Sequence, residues 1–252
     1  MSQKPVPRGV YILPNLFTTG SLLAGFIGLV LASEGSIEAC ALAIIISAIL
    51  DALDGKVARL TNTASEFGIQ YDSLADLVAF GVTPGFMAWE WMLKPFGRIG
   101  VAVCFLFMAC AALRLARFNV ATAAAASKKF FIGLPSPAGG CTLALTVFAS
   151  SYLPEIVLSR LPHIMFGITF IVALLMVSRI RYFSFKEFGF LRTHPFRSLV
   201  ATLLVVTLFY AEPRLFVPIA CLLYILSGLI YTFIILPTNN RRLLRSLAQN
   251  LS

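Results

Sequence analysis

The chain has 252 residues, 59% of them hydrophobic and only 12% charged, with a mean hydropathy of +0.89. Soluble globular domains carry roughly 25% charged residues, so this composition excludes a water-soluble fold and points to the bilayer. The net charge of +9 does not mark a nucleic-acid-binding protein, because the basic residues are spread among the loops and not gathered on a soluble face.

Apolar runs long enough to cross a hydrocarbon core of about 30 Å as helix recur along the whole length. They predict an all-α polytopic membrane bundle of about eight transmembrane helices, over 13–33, 36–60, 69–93, 98–120, 135–153, 162–178, 198–212 and 215–236. The first run follows a basic segment, but it is too long for a removable signal peptide and lacks a small-residue cleavage site. The seventh is short and meets the eighth at a tight Glu212-Pro213-Arg214 turn. The longest polar connections, 121–134 and 179–197, are each under 20 residues. Residues 1–252 therefore read as a single integral membrane domain, without an internal repeat. The basic and aromatic connection through Arg179, Arg181, Tyr182, Phe183, Phe185, Lys186 and Phe188 reads as a surface segment lying against headgroups. His163 and His194 are loop residues, and the five cysteines fall in apolar spans as small buried hydrophobes.

Loop charge sets the orientation. With the N-terminus in the cytoplasm, 16 of the 20 Lys and Arg residues lie on or near that side, leaving Lys94, Arg98, Arg160 and Arg214 outside. The positive-inside rule then predicts that both termini are cytoplasmic, and the basic inner face attracts anionic headgroups.

The chain contains four Asp residues, all within 26 positions of the second and third predicted helices: Asp51, Asp54, Asp72 and Asp76. An Asp at mid-membrane costs roughly 2.5–3.5 kcal/mol on insertion scales, and such acids usually face a polar cavity with a function. At 100° per residue Asp51, Asp54, Gly55 and Ala58 share one face, and Gly68, Asp72 and Asp76 follow an i, i+4, i+8 line. The short segment from Leu60 to Phe67 returns the chain antiparallel, so the two acidic stripes converge in the cytoplasmic half of the membrane. Carboxylate oxygens are the ligands that Mg2+ or Mn2+ prefers, and a pair of such ions would relieve the repulsion. Because Mg2+ commonly binds through a few carboxylates together with substrate phosphates, a phosphate-bearing substrate is implied. Gly55, Gly68 and Ala58 let a bulky ligand approach the backbone, and Arg59 offers bidentate contact to phosphate oxygens. Two other readings stand beside this one. Small residues also permit close helix packing, which leaves the acids unexplained, and intramembrane carboxylates also carry cations or protons, which leaves Arg59 without a role.

The run Asp51-x2-Asp54-Gly55-x2-Ala58-Arg59-x8-Gly68-x3-Asp72-x3-Asp76 resembles the CDP-alcohol phosphotransferase signature at every fixed position, with its spacing intact. The resemblance implies that Asp51, Asp54 and Asp72 bind divalent metal and that Asp76 is a further ligand and the proton acceptor. It also implies that Gly55, Arg59 and Ser65 lie around the CDP moiety of CDP-diacylglycerol, and that the protein is a homodimer. Pro14-Asn15-Leu16-Phe17-Thr18 resembles the segment through which such enzymes touch the nucleotide, with Asn15 and Thr18 as the contacting residues. Capping and anchoring of the first helix explains the same residues.

Three further stretches, Tyr71 to Val82, Ala116-Arg117-Phe118-Asn119 and Gly133-Leu134-Pro135-Ser136-Pro137, resemble the phosphatidylserine synthase branch of that family; the similarity spans roughly residues 10–140. It implies L-serine as the acceptor. A serine site needs a cation and oxygen acceptors, which Arg114, Arg117, Asn119 and Ser136 offer, although positive-inside anchoring and a rigid Pro-Ser-Pro loop account for the same residues. Glycerol 3-phosphate, an inositol phosphate or choline are the alternative acceptors, and an intramembrane cation transporter is the alternative of a different class. The expected mechanism is metal-assisted attack of the serine hydroxyl on CDP-diacylglycerol at the cytoplasmic face of a bacterial or archaeal membrane.

Overall fold

The computed structural model describes residues 12–61, 65–123, 130–183, 207 and 212–232. They fall into two compact units, one within 1–126 and 135–177 and the other within 127–134 and 178–252. The first unit is helical throughout: α1 (Ile12–Ser33), α2 (Ile37–Thr61), α3 (Glu66–Leu77), α4 (Thr83–Ala88), α5 (Gly97–Ala123), α6 (Ser136–Ser150), the short α7 (Glu155–Leu158) and α8 (Leu161–Val177). The described residues are mostly helical, consistent with the expected all-α class. Each of the first six predicted runs coincides with helix, while the seventh, 198–212, lies almost wholly outside the described residues.

The helices are apolar on the outside. On α2 the exposed residues Leu42, Ile46, Ile49 and Leu53 form one stripe, whereas Ile44, Ser47 and Asp54 are buried. A soluble helix presents the reverse pattern, so this surface is built for lipid. Asn15–Ser33 and the stretch Glu66–Val120 are long and apolar enough to cross a bilayer, with Leu161–Val177 and Pro218–Ile230 as shorter apolar helices. The chain is a membrane protein.

Helices α1 and α2 form an antiparallel pair closed by a tight turn at Gly35, whose φ of 78° suits glycine. Inside the pair, Ser21 and Ser47 bind one another: their hydroxyl oxygens are 2.7 Å apart and Ser47 Oγ donates to the Ser21 carbonyl at 2.8 Å. Both side chains are buried, so neither hydroxyl reaches water and each satisfies the other.

Helix α3 begins where Ser65, in extended conformation, accepts the Gly68 amide on its side chain, and Glu66 sits in the first turn where the helix dipole favours an acid. Helical backbone then continues through a π turn at Val78–Val82, α4, a second π turn at Trp89–Leu93 and a 3-10 turn at Lys94–Phe96. The chain reverses at Gly97, with φ 54°. The first π turn is held from its neighbours. Thr83 Oγ1 lies 2.9 Å from both the Gly25 and the Val78 carbonyls. A Cβ on Gly25 would sit 2.9 Å from Ala79 Cα, and one on Gly140 would sit 3.0 Å from Phe80 Cα. Helices α1 and α6 therefore both press against backbone here, which only glycine allows.

In the second unit β1 (Phe130–Ile132) pairs antiparallel with β2 (Arg181–Phe183), with Phe131 opposite Tyr182. Within the basic and aromatic connection that begins at residue 179, a short strand is therefore present. Residues 181–183 spend their backbone hydrogen bonds on a ladder with the end of the other long connection, as their aromatic content favours. The rest of that segment, with His194, lies outside the described residues. Helix α9 (Pro213–Ile230) follows, and the buried Tyr182 packs on it, its ring centre 5.6 Å from that of Tyr224.

Candidate active site

Asp51 on α2 and Asp72 and Asp76 on α3 each turn one carboxylate oxygen to a common point, the three oxygens lying within 4.8 Å of one another. Asp76 is buried, and Asp51 and Asp72 are half-buried. The expected convergence of the two stripes is thus observed for three of the four aspartates. Two carboxylates at about that separation repel by roughly 3–4 kcal/mol at an effective dielectric of about 20, and Asp51 and Asp76 are also within hydrogen-bonding reach. An all-oxygen donor set converging on one point is what a hard divalent cation takes. The residues present fit Mg2+ or Mn2+.

Asp54 stands slightly aside. It is buried, its Oδ2 accepts the hydroxyl of Thr18 at 2.8 Å, and it acts electrostatically on Asp51 and Asp72. Thr18 itself is buried and bonded to α2. The signal for this pairing was in the sequence as a polar stripe, Ser47, Asp51 and Asp54 at i, i+4, i+7, facing Thr18 and Ser21 at i, i+3.

Three residues expected around the CDP moiety meet at the start of α3. The Gly68 amide donates to Ser65 Oγ at 3.0 Å, and a Cβ on Gly68 would lie 3.1 Å from Ser65 Oγ and 3.5 Å from Asn15 Oδ1. Tyr71 OH and Thr19 Oγ1 are 2.9 Å apart, a tie between α1 and α3 that sequence reasoning missed. Gly55 follows Asp54 on α2 and is half-buried. Ala58 and Arg59 are on the same helix, but their side chains lie outside the described residues.

Of the four acceptor candidates, Arg114 and Ser136 are brought together. Arg114 Nη1 donates to Ser136 Oγ at 2.8 Å, both side chains are buried, and the guanidinium acts electrostatically on Asp76. Helix α5 carries Arg114 from one side of the sequence, and Ser136 is the first residue of α6. The other two have different partners. Arg117 is exposed and reaches the Val177 carbonyl at 3.5 Å. The Asn119 amide nitrogen donates to Gln70 Oε1 and Ser73 Oγ, tying α5 to α3.

The described residues thus bring three carboxylates to one point in a helical membrane protein, where they could hold a metal ion. Its sequence matches the CDP-alcohol phosphatidyltransferase family over residues 11–177, and the chain is an enzyme of that family. It is 37% identical over 221 residues to a Helicobacter pylori J99 protein named CDP-diacylglycerol--serine O-phosphatidyltransferase, covering 88% of this chain and 91% of the relative. Proteins of the same name from Methanocaldococcus jannaschii and Bacillus subtilis are 34% and 31% identical, each over 69% of this chain and over 75% and 92% of their own lengths.

Proposed function

We propose that the enzyme transfers the phosphatidyl group of CDP-diacylglycerol to the hydroxyl of L-serine and releases CMP. The observation that carries the acceptor is the buried Arg114–Ser136 pair, a cation and a hydroxyl held together, and the names of the relatives agree with it. Arg114 receives the serine carboxylate, with Ser136 fixing the guanidinium. Asp76 takes the proton of the serine hydroxyl as its oxygen attacks the phosphorus bearing diacylglycerol. The bond from that phosphorus to the oxygen of the cytidine monophosphate breaks, and CMP departs. Asp51, Asp54, Asp72 and Asp76 hold two divalent ions, Mg2+ or Mn2+, which supply Lewis-acid stabilisation of the pyrophosphate oxygens when bound. Asn15, Gly55, Ala58, Arg59, Ser65 and Gly68 surround the CDP group.

The test is incubation of purified protein with CDP-diacylglycerol, Mn2+ or Mg2+, and serine, glycerol 3-phosphate, an inositol phosphate or choline in turn, with CMP and the lipid product measured. Serine alone is expected to give CMP and phosphatidylserine. Product with another acceptor only would remove the serine assignment, and no CMP with any of them would return the acids to a cation pathway. The same reading has eight spans, both termini and the site at the cytoplasmic face, and a homodimer. Membrane-impermeant labelling of single cysteines near each terminus and the mass of the solubilised particle test these points.

A further inference from the structure

Thr18 shares a turn of α1 with the nucleotide candidate Asn15, but the two side chains differ in setting. Asn15 is half-buried at the start of α3. Thr18 is 4% exposed and donates its hydroxyl to Asp54 Oδ2 at 2.8 Å. Asp54 is outside the group of three oxygens that meet within 4.8 Å, yet it acts on both Asp51 and Asp72. Its usefulness to a cation therefore depends on how its carboxylate is turned, and a hydroxyl from a different helix hydrogen-bonds that carboxylate.

We propose that Thr18 is a positioning residue of the cation site, holding the Asp54 carboxylate in the orientation in which it serves with Asp51, Asp72 and Asp76; this rests on the metal reading of the aspartates. Outer partners that hydrogen-bond ligating carboxylates matter nearly as much as the ligands, and losing one typically costs 10–100-fold in metal affinity or activity. The Ser21–Ser47 contact supports the assignment from one turn further along α1. Ser21 follows Thr18 at i+3, and Ser47 precedes Asp54 by seven residues, so both contacts lie on the same facing stripes. The buried serine pair fixes the register of α1 on α2, and that register puts the Thr18 hydroxyl at the height of Asp54.

The test uses the full chain in detergent without nucleotide, titrated with Mn2+ and followed by the electron paramagnetic resonance of the free ion. Thr18→Val keeps the shape and removes the hydroxyl, and it should weaken Mn2+ binding about 10–100-fold. Thr18→Ser keeps the hydroxyl and should recover most of the affinity. CDP affinity, measured at saturating Mn2+, should be unchanged in both. Thermal unfolding without metal checks that each variant is folded, and Thr18→Ala carries the same expectation should the valine variant not fold. Wild-type Mn2+ affinity in Thr18→Val or Thr18→Ala, or a Thr18→Ser variant no better than these, would overturn the proposal. So would a loss of CDP affinity with Mn2+ affinity intact, which would return Thr18 to the nucleotide. A wild-type protein that holds no Mn2+ would overturn the metal reading itself, and this inference with it.

Discussion

Replacing Ser136 by Ala isolates the acceptor assignment. The side chain is 0% exposed and its oxygen accepts Arg114 Nη1 at 2.8 Å; the change removes one oxygen from the first turn of α6 and leaves no new group to accommodate. A hydrogen bond to a charged group contributes about 1.5–3 kcal/mol. If that bond holds the guanidinium for an incoming carboxylate, its loss appears in the acceptor's KM, and at about 1.4 kcal/mol per tenfold the upper bound is a rise of roughly 10- to 150-fold. The KM for CDP-diacylglycerol should stay where it was. The assay is CMP release with serine varied at saturating donor and then the donor varied at saturating serine, with thermal unfolding in parallel. A serine KM within about twofold of wild type, accompanied by a lower Tm, would show that the pair is only a structural tie between α5 and α6, because a bond of this size must be spent somewhere.

Asp76→Asn should lower turnover by about 10^2- to 10^4-fold, the range for loss of a general base, while CDP-diacylglycerol still binds; single-turnover kinetics beside a binding titration separate the two. Near-normal turnover would place the base elsewhere. Removing divalent ions with EDTA should abolish CMP release, and adding back Mn2+ or Mg2+ should restore it, whereas activity that survives exhaustive chelation would refute the metal reading. Gly25→Ala puts a methyl 2.9 Å from Ala79 Cα, a backbone atom that cannot step aside, and overpacking of this kind costs about 1–3 kcal/mol. A lowered Tm should report it, and an unchanged Tm would mean that α1 and the π turn separate freely.

The second and third helices and their acidic stripes were legible because helical period and apolar run length are local properties, and Asp51, Asp72 and Asp76 met as that period required. The paths of Thr18 and Ser136 were not. Thr18 is 36 residues from Asp54 and Ser136 is 22 from Arg114, and which hydroxyl reaches which charge depends on how far one helix slides along another. That offset is set by contacts such as Ser21 with Ser47 and Gly25 with Ala79, which no periodicity encodes. The π turn at Val78–Val82 was equally hidden: in a segment apolar on most sides, one extra residue in a turn leaves the hydrophobic pattern unchanged. The short ladder between 130–132 and 181–183 joins two connections some 50 residues apart, beyond the reach of a local reading.

That π turn gives the third helix two independent phases. Each residue added to or removed from an α-helix rotates everything beyond it by about 100°, so the wide turn sets the angle between the acid-bearing half, with Asp72 and Asp76, and the half that follows Thr83. Deleting one residue from Val78–Val82 would leave each half a sound helix and swing one relative to the other by more than a quarter turn. Either the carboxylates would leave Asp51, or Thr83 would leave the Gly25 carbonyl. The chemistry at one end of this helix and its seating against α1 at the other can therefore be adjusted separately, with the turn between them acting as the splice.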